Sequence, residues 1–293
     1  MRVTIGRVAQ SVAAGVVLVG GRSSRMGTPK AALEWHGCTL LRRTVGVLAR
    51  AVDGPLLVVR APHQLLPEIP AHIDVVEDPE EGLGPLQGIA AGLAALAGRA
   101  QIAFLCSTDL PFLHPVFIRR VLGVLIDNTP TVDVVLPVAR GFPQPLAAAY
   151  RVTLAPVVAE LVAEGDLRPA FLFRRCATLY LDDTALLADP VLAAADPALD
   201  SVVNVNSRDD YHAARRRPAP QVTVHCCGVP AGAGHCAERT VRAATVAGAA
   251  AAVGIVLDRH VVVALNGDQL GHAGDVPLAS GDGVTFRPAY VGG

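Results

Sequence analysis

Val16-Val17-Leu18-Val19 is an unbroken apolar run that opens directly into Gly20-Gly21-Arg22-Ser23-Ser24-Arg25-Met26-Gly27-Thr28-Pro29-Lys30. A short run with no polar alternation predicts a central parallel strand covered on both faces. A glycine-rich loop at the carboxyl end of such a strand lies where ligands bind in doubly wound α/β sheets. Gly20 and Gly21 let backbone N–H groups come close to a ligand, and N–H groups held this way receive phosphate oxygens. Arg25 and Lys30 add two positive charges to the same loop. The spacing is not that of a P-loop, because Lys30 stands three residues past Gly27, and it is not a dinucleotide fingerprint.

The pattern of strand, loop and helix repeats from Gly15 to about Tyr211. Strands are predicted at 56–59, 73–76, 102–106, 132–137 and 146–150, with helices at 39–52, 86–96, 115–126 and 154–164. The 102–106 strand ends at Ser107-Thr108-Asp109. Alternation of this kind predicts an α/β, doubly wound, mostly parallel sheet. Arg215-Arg216-Arg217-Pro218-Ala219-Pro220 combines charge and proline and reads as a linker. After it the pattern changes to strands at 221–226, 238–241, 261–265 and 284–288 around one helix at 245–253, with Asn266-Gly267 as a turn signal. The expected organisation is a domain at 11–214, a linker at 215–220 and a small α+β domain at 221–293.

Composition narrows the function. The 293 residues carry a net charge of -1, with no basic block of the kind that neutralises nucleic-acid phosphates. No run reaches the roughly 18 apolar residues of a membrane span, and no signal pattern is read at the N-terminus, so a cytoplasmic location away from nucleic acid and membrane is expected. The six cysteines form no Cys-x-x-Cys pair and read as small buried hydrophobes. His-Glu-x-x-His and Gly-x-Ser-x-Gly are both missing from the sequence, which argues against a metallohydrolase and an α/β-hydrolase.

Four segments, in order, carry a resemblance to a known family. They are Leu18 to Lys30, Glu77-Asp78-Pro79 with Gly84-Pro85-Leu86-Gln87-Gly88, Ser107-Thr108-Asp109-Leu110-Pro111-Phe112, and Val203-Asn204-Val205-Asn206. Together they resemble the nucleotidyltransferase superfamily and, within it, the molybdenum cofactor guanylyltransferase (MobA-type) family, over roughly residues 14–212. The resemblance implies a three-layer Rossmann-like nucleotidyltransferase fold. It implies transfer of GMP from GTP to molybdopterin with release of pyrophosphate, needing charge neutralisation, in-line positioning and Mg²⁺.

By the same resemblance, Arg25 and Lys30 contact the triphosphate, and Asp109 holds Mg²⁺. Leu18, Val19, Gly20 and Gly21 line the nucleotide site, Gly84 to Gly88 lie beside the base, and Asp78 faces the nucleoside. Asn204 and Asn206 face the pterin or the metal, or are turn-forming asparagines. Two positions depart from the family. Pro29 stands where Asp usually precedes the Lys, and Arg60 stands where Asn is common near the nucleoside. Pro29 keeps open a CTP-dependent, sugar-nucleotide or isoprenoid-type relative, and a shell acting only as a carrier is a reading of another class.

Residues 221–293 resemble the small β-grasp (ubiquitin-like) sulfur carriers of the MoaD/ThiS type. The matching residues are Leu265-Asn266-Gly267, Pro277-Leu278, Gly281-Asp282, Val284 and the final Gly292-Gly293. That resemblance implies a tail adenylated and thiocarboxylated by an adenylating enzyme and threaded into the large subunit of molybdopterin synthase, where side-chain-free glycines fit a narrow channel.

Overall fold

The computed structural model describes residues 12–19, 29–79, 84–228, 238–271 and 274–289. In chain order the elements are β1 (Ala13–Leu18), β2 (Glu34–Trp35), β3 (Cys38–Thr39), α1 (Leu40–Ala49), β4 (Leu56–Arg60), β5 (Asp74–Glu77), α2 (Pro85–Ala95), β6 (Ile102–Ser107), α3 (Pro115–Asp127), β7 (Val134–Ala139), β8 (Phe142–Pro143) and β9 (Ala147–Arg151). They continue with α4 (Ala155–Ala163), α5 (Pro169–Arg175), β10 (Thr178–Asp182), α6 (Asp183–Leu187), α7 (Pro190–Ala195) and α8 (Arg208–Arg215). The last group is β11 (Gln221–Cys226), β12 (Arg239–Arg242), α9 (Val246–Ala252), β13 (Val261–Leu265), β14 (Asp268–Leu270) and β15 (Gly283–Pro288).

The larger sheet runs β10-β7-β9-β6-β1-β4-β5, with β8 paired to β7. β1 lies between β4 and β6, parallel to both. Every residue of β1 is buried, as its unbroken apolar run predicts. β9 is antiparallel to both β6 and β7, so the sheet is mixed at one side.

Helices cover both faces of β1, and small residues set how closely they approach. A Cβ on Gly15 would fall 2.5 Å from Leu48 of α1, and one on Gly92 of α2 would fall 2.9 Å from Val16. The two cores follow. Phe104, Phe117, Leu41 and Leu48 fill the α1/α3 face. Leu86, Ile89, Leu93, Tyr150 and Leu161 fill the α2/α4 face. Each fully buried side chain of this size contributes roughly 1.5–3 kcal/mol.

The smaller sheet runs β12-β11-β15-β13-β14. Its first and last strands, β11 and β15, lie side by side and parallel, while β12 and β13 pair antiparallel to them. Asn266 and Gly267 take positive φ of 52° and 97° and close the β13–β14 hairpin, as the Asn-Gly turn signal predicts. α9 packs Val246, Ala249, Ala250 and Val253 onto Val222, Val224, Val263 and Phe286.

The two sheets are joined through α1. Arg42 meets Asp275 at 2.5 and 2.8 Å, and Arg50 meets Asp282 at 2.5 and 2.9 Å. Arg43 donates to the carbonyls of Pro111 and, at 3.1 Å, Leu278. Arg42, Arg43 and Arg50 lie at three- and four-residue spacing from Gly46 and so share one helix face with it. Gly46 on that face leaves room for Pro277, since a Cβ there would lie 2.5 Å from its ring. Among the described residues no helix is long and apolar enough to cross a membrane.

Gly46→Val should therefore cost about 1–3 kcal/mol of stability by overpacking this joint. Gly123→Ala, inside α3 with open space at the Cβ position, should instead stabilise by about 0.5–1 kcal/mol. Urea unfolding of both variants checks the pair.

Candidate active site at the carboxyl edge of the larger sheet

The ends of β1, β4 and β6 define one edge of the larger sheet. Asp109 follows β6 and is half-buried, with Oδ1 accepting from the Ser107 hydroxyl and its own carbonyl accepting from Val205 N–H at 2.9 Å. The backbone bond to Val205 brings the 203–206 segment beside Asp109. Lys30 begins the short helical turn Lys30–Ala32 that resumes the chain after the glycine-rich loop. Its Nζ lies 3.4 Å from Asp109 Oδ2 and 3.1 Å from Asn206 Oδ1. The Lys30 and Asp109 side chains are 23% and 20% exposed, so the pair is shielded but open to a ligand.

Asn206 is held from behind. Ser207 caps α8 by accepting from Asp210 N–H at 3.1 Å, and Asp210 Oδ2 accepts from the N–H groups of Asn206 and Ser207 at 3.1 and 2.9 Å. This reciprocal box satisfies donors at the helix start. The Ser207 side-chain hydrogen bond, followed by the backbone donors, lowers the pKa of Asp210 below the usual carboxylate value. The box is legible in the sequence as Ser207-x-x-Asp210. α8 is fastened in turn to the β2–β3 hairpin, because Tyr211 donates its hydroxyl proton to Glu34 O at 2.5 Å and Arg215 pairs with the Glu34 carboxylate.

On the β4 side, Arg60 does not reach toward Lys30. Its guanidinium pairs with Glu77 at 2.7 Å and donates to Gln64 O at 2.8 Å, while its Nε is buried with no hydrogen-bond partner among the described residues. Gln64 was not singled out from the sequence. Its amide donates to Val19 O at 3.3 Å and accepts from Ala61 N–H at 3.0 Å, which fixes the carbonyl at the mouth of the glycine-rich loop. No linear pattern marks Gln64, since the contact closes only when β4 and β1 lie side by side.

Leu18 and Val19 are 7% and 6% exposed, so they offer their backbone rather than their side chains. Gly88 lies in the first turns of α2, where a Cβ would come 3.3 Å from Leu18. Gly84 caps α2 at φ 88°, a conformation open to glycine. Asp78 is half-buried at the end of β5, with its N–H bonded to Arg60 O at 2.7 Å. Asn204 and Asn206 are both exposed, and of the two it is the Asn206 side chain that meets Lys30. Gly20, Gly21, Arg25, Gly292 and Gly293 lie outside the described residues.

Among the described residues no group of three or more His, Cys, Asp or Glu side chains could hold a metal. A single carboxylate is nonetheless the usual protein share of a Mg²⁺ that keeps its waters and leans on substrate phosphates. Asp109, at a strand end and beside a cation, suits that mode. Ser207→Ala should cost about 1 kcal/mol by uncapping α8, and hydrogen exchange at the Asp210 amide should rise with it.

Comparison with known proteins identifies the family of the larger sheet. The model of the MobA-like NTP transferase domain matches residues 15–179, more than half of the chain. The protein named "Probable molybdenum cofactor guanylyltransferase" of Mycobacterium tuberculosis H37Rv is 37% identical over 203 residues, covering 68% of this chain and 92% of its own. That of Mycobacterium avium is 41% identical over 155 residues, covering 52% and 76%. The crystal structure of molybdopterin-guanine dinucleotide biosynthesis protein A from Archaeoglobus fulgidus superposes with a TM-score of 0.54 at 20% identity, covering 69% of this chain and 96% of that one. That likeness shows a shared Rossmann-like α/β fold. By that family match and that identity, the chain, which brings Lys30 and Asp109 together, belongs to the MobA-like NTP transferase family and is a nucleotidyltransferase.

Proposed function

We propose that the protein transfers GMP from GTP to molybdopterin, releasing pyrophosphate and forming molybdopterin guanine dinucleotide. The observation that carries this reading is the meeting of Lys30, Asp109 and Asn206 within hydrogen-bond reach at one strand edge. The names of the related proteins supply the substrates.

Nucleotidyl transfer asks little covalent chemistry of the protein. A phosphate oxygen of molybdopterin bonds to the α-phosphorus of GTP, the bond from that phosphorus to the β-phosphate's bridging oxygen breaks, and pyrophosphate leaves with the electron pair. Positioning and charge neutralisation supply most of the rate in such reactions. Lys30 neutralises the triphosphate and the departing pyrophosphate, with Arg25 of the same loop as its partner. In the free protein, Asp109 and Asn206 hold the ammonium, so its rotamer is set before the nucleotide arrives. Mg²⁺, held by Asp109 and phosphate oxygens, would act as a Lewis acid on the α-phosphate. Val19 O, fixed by Gln64, and the small residues Gly84 and Gly88 shape the place of the nucleoside. Asp78 and Arg60 stand at its rim.

The second sheet supports a β-grasp reading. Its order β12-β11-β15-β13-β14, the parallel central pair and the one packed helix are the features on which it rests. In this reading the chain has two domains, 11–214 and 221–293, joined by 215–220. The second serves as a sulfur carrier through Gly292-Gly293, with an adenylating enzyme and the molybdopterin synthase large subunit as partners. Mass spectrometry after incubation with an adenylating enzyme and a sulfur donor should show oxygen exchanged for sulfur at Gly293, and an unchanged mass would remove the carrier role.

Offered GTP, CTP and UTP with Mg²⁺ and molybdopterin, the protein should turn over GTP. Pro29 favours the cytidylyl alternative, and turnover of CTP alone would establish it. Lys30→Ala should lower kcat about 10²–10³-fold, the usual loss for one oxyanion-stabilising donor. Unchanged turnover would take Lys30 out of the phosphate role.

A further inference from the structure

A cavity of about 390 Å³ lies where the two sheets meet, walled by Trp35 and Phe112 on one side and by Pro218, Gln221 and Ser280 on the other. That volume is within the range of small-molecule sites. Its charges do not balance. Arg43 lines it, is 6% exposed, and has no carboxylate within ion-pair distance among the described residues. Its hydrogen bonds go to the carbonyls of Pro111 and Leu278, and the nearby Asp282 is taken by Arg50. Burial lowers its pKa to about 10, so the guanidinium remains charged at neutral pH. Arg242, from β12, also lines the cavity and donates to Ala219 O at 3.2 Å, again without a carboxylate partner among the described residues.

Of the two acidic groups in the wall, Asp200 is paired with a cation and Asp196 is held by backbone donors. Asp196 accepts from the N–H groups of Asp200 and Ser201 at 2.7 and 2.9 Å. Asp200 pairs with Arg217, whose guanidinium lies 4.1 Å from the centre of the Phe112 ring. His114 is neutral in this setting. Its Nδ1 accepts from Val116 N–H at 3.1 Å, so Nε2 carries the proton and donates to Ser280 O at 3.1 Å. Burial holds its pKa below the ordinary histidine value, and burial followed by the Arg43 charge does the same for His36. A buried cation left without a counter-charge is costly, and an anion in the cavity removes that cost.

We propose that this cavity is an anion site that takes a phosphate or phosphomonoester group between Arg43 and Arg242. The planar donor forks of arginine suit that group. The site is distinct from the Lys30–Asp109 edge and draws its walls from α1, the 112–114 loop and the second sheet, so it exists only while these are docked. Arg43 also holds Pro111, two residues beyond Asp109, so the cavity adjoins the loop that follows that carboxylate.

The test is calorimetric titration of the full chain carrying Lys30→Ala, which weakens the catalytic phosphate site. The probes are orthophosphate and ribose 5-phosphate. One site per chain should remain, and Arg242→Gln, a change at an exposed side chain, should weaken it at least tenfold. Arg43→Met should abolish it, with circular dichroism checking the fold. Tighter binding of ribose 5-phosphate identifies an organic phosphate as the ligand, and equal binding identifies free phosphate. No residual site in the Lys30→Ala chain, or affinity unchanged by Arg242→Gln, would overturn the proposal.

Discussion

A single ammonium group, Lys30 Nζ, is held between two oxygens that come from positions 79 and 176 residues further along the chain. The rest of the larger sheet is arranged so that these atoms can meet. β1 is central and buried, and β6 lies beside it in parallel register, so that Asp109 follows β6 at the end of the sheet where β1 also ends. The 203–206 segment then has to return to that edge, and it does so through one backbone bond from Val205 to Asp109 and a capped helix behind Asn206.

The cost of this arrangement is met by packing elsewhere. Two apolar layers cover the faces of the sheet, and glycines at 15, 88 and 92 let α1 and α2 approach the central strand closely. The same α1 turns an unusually basic face outward. Arg42, Arg43 and Arg50 hold the loop 275–282 of the second sheet through two carboxylates and several carbonyls. One helix thus packs on the central strand and fastens the second sheet. It couples the loop after Asp109 to the second sheet through the Arg43 guanidinium.

Much of the larger sheet was legible in the sequence because its inner strands are covered on both faces and show no polar alternation. β1, β4, β6 and β7 fall within a few residues of where the apolar runs place them. The segment from 165 to 200 was not. α5, β10, α6 and α7 are short, rich in Asp, Ala and Pro, and partly exposed, so no hydrophobic period exceeds their own length. Their start signals, Asp182 and Asp189 as caps, are visible only once a helix is suspected. The antiparallel direction of β9 was equally hidden, since an apolar run does not state its direction. In the site, the glycines, Lys30 and Asp109 were readable as a pattern. Gln64, the Ser107–Asp109 hydrogen bond and the burial of Arg43 were not, because each depends on a geometry that only the fold supplies.

The account rests on Lys30 and Asp109 acting on one triphosphate. The most direct measurement is a double-mutant cycle on binding of GTP in Mg²⁺, with Lys30→Ala, Asp109→Ala and the pair. Groups that share a ligand should show a coupling of about 0.5–3 kcal/mol. Binding losses that add to within about 0.3–0.5 kcal/mol would place the two residues at separate tasks and contradict the account.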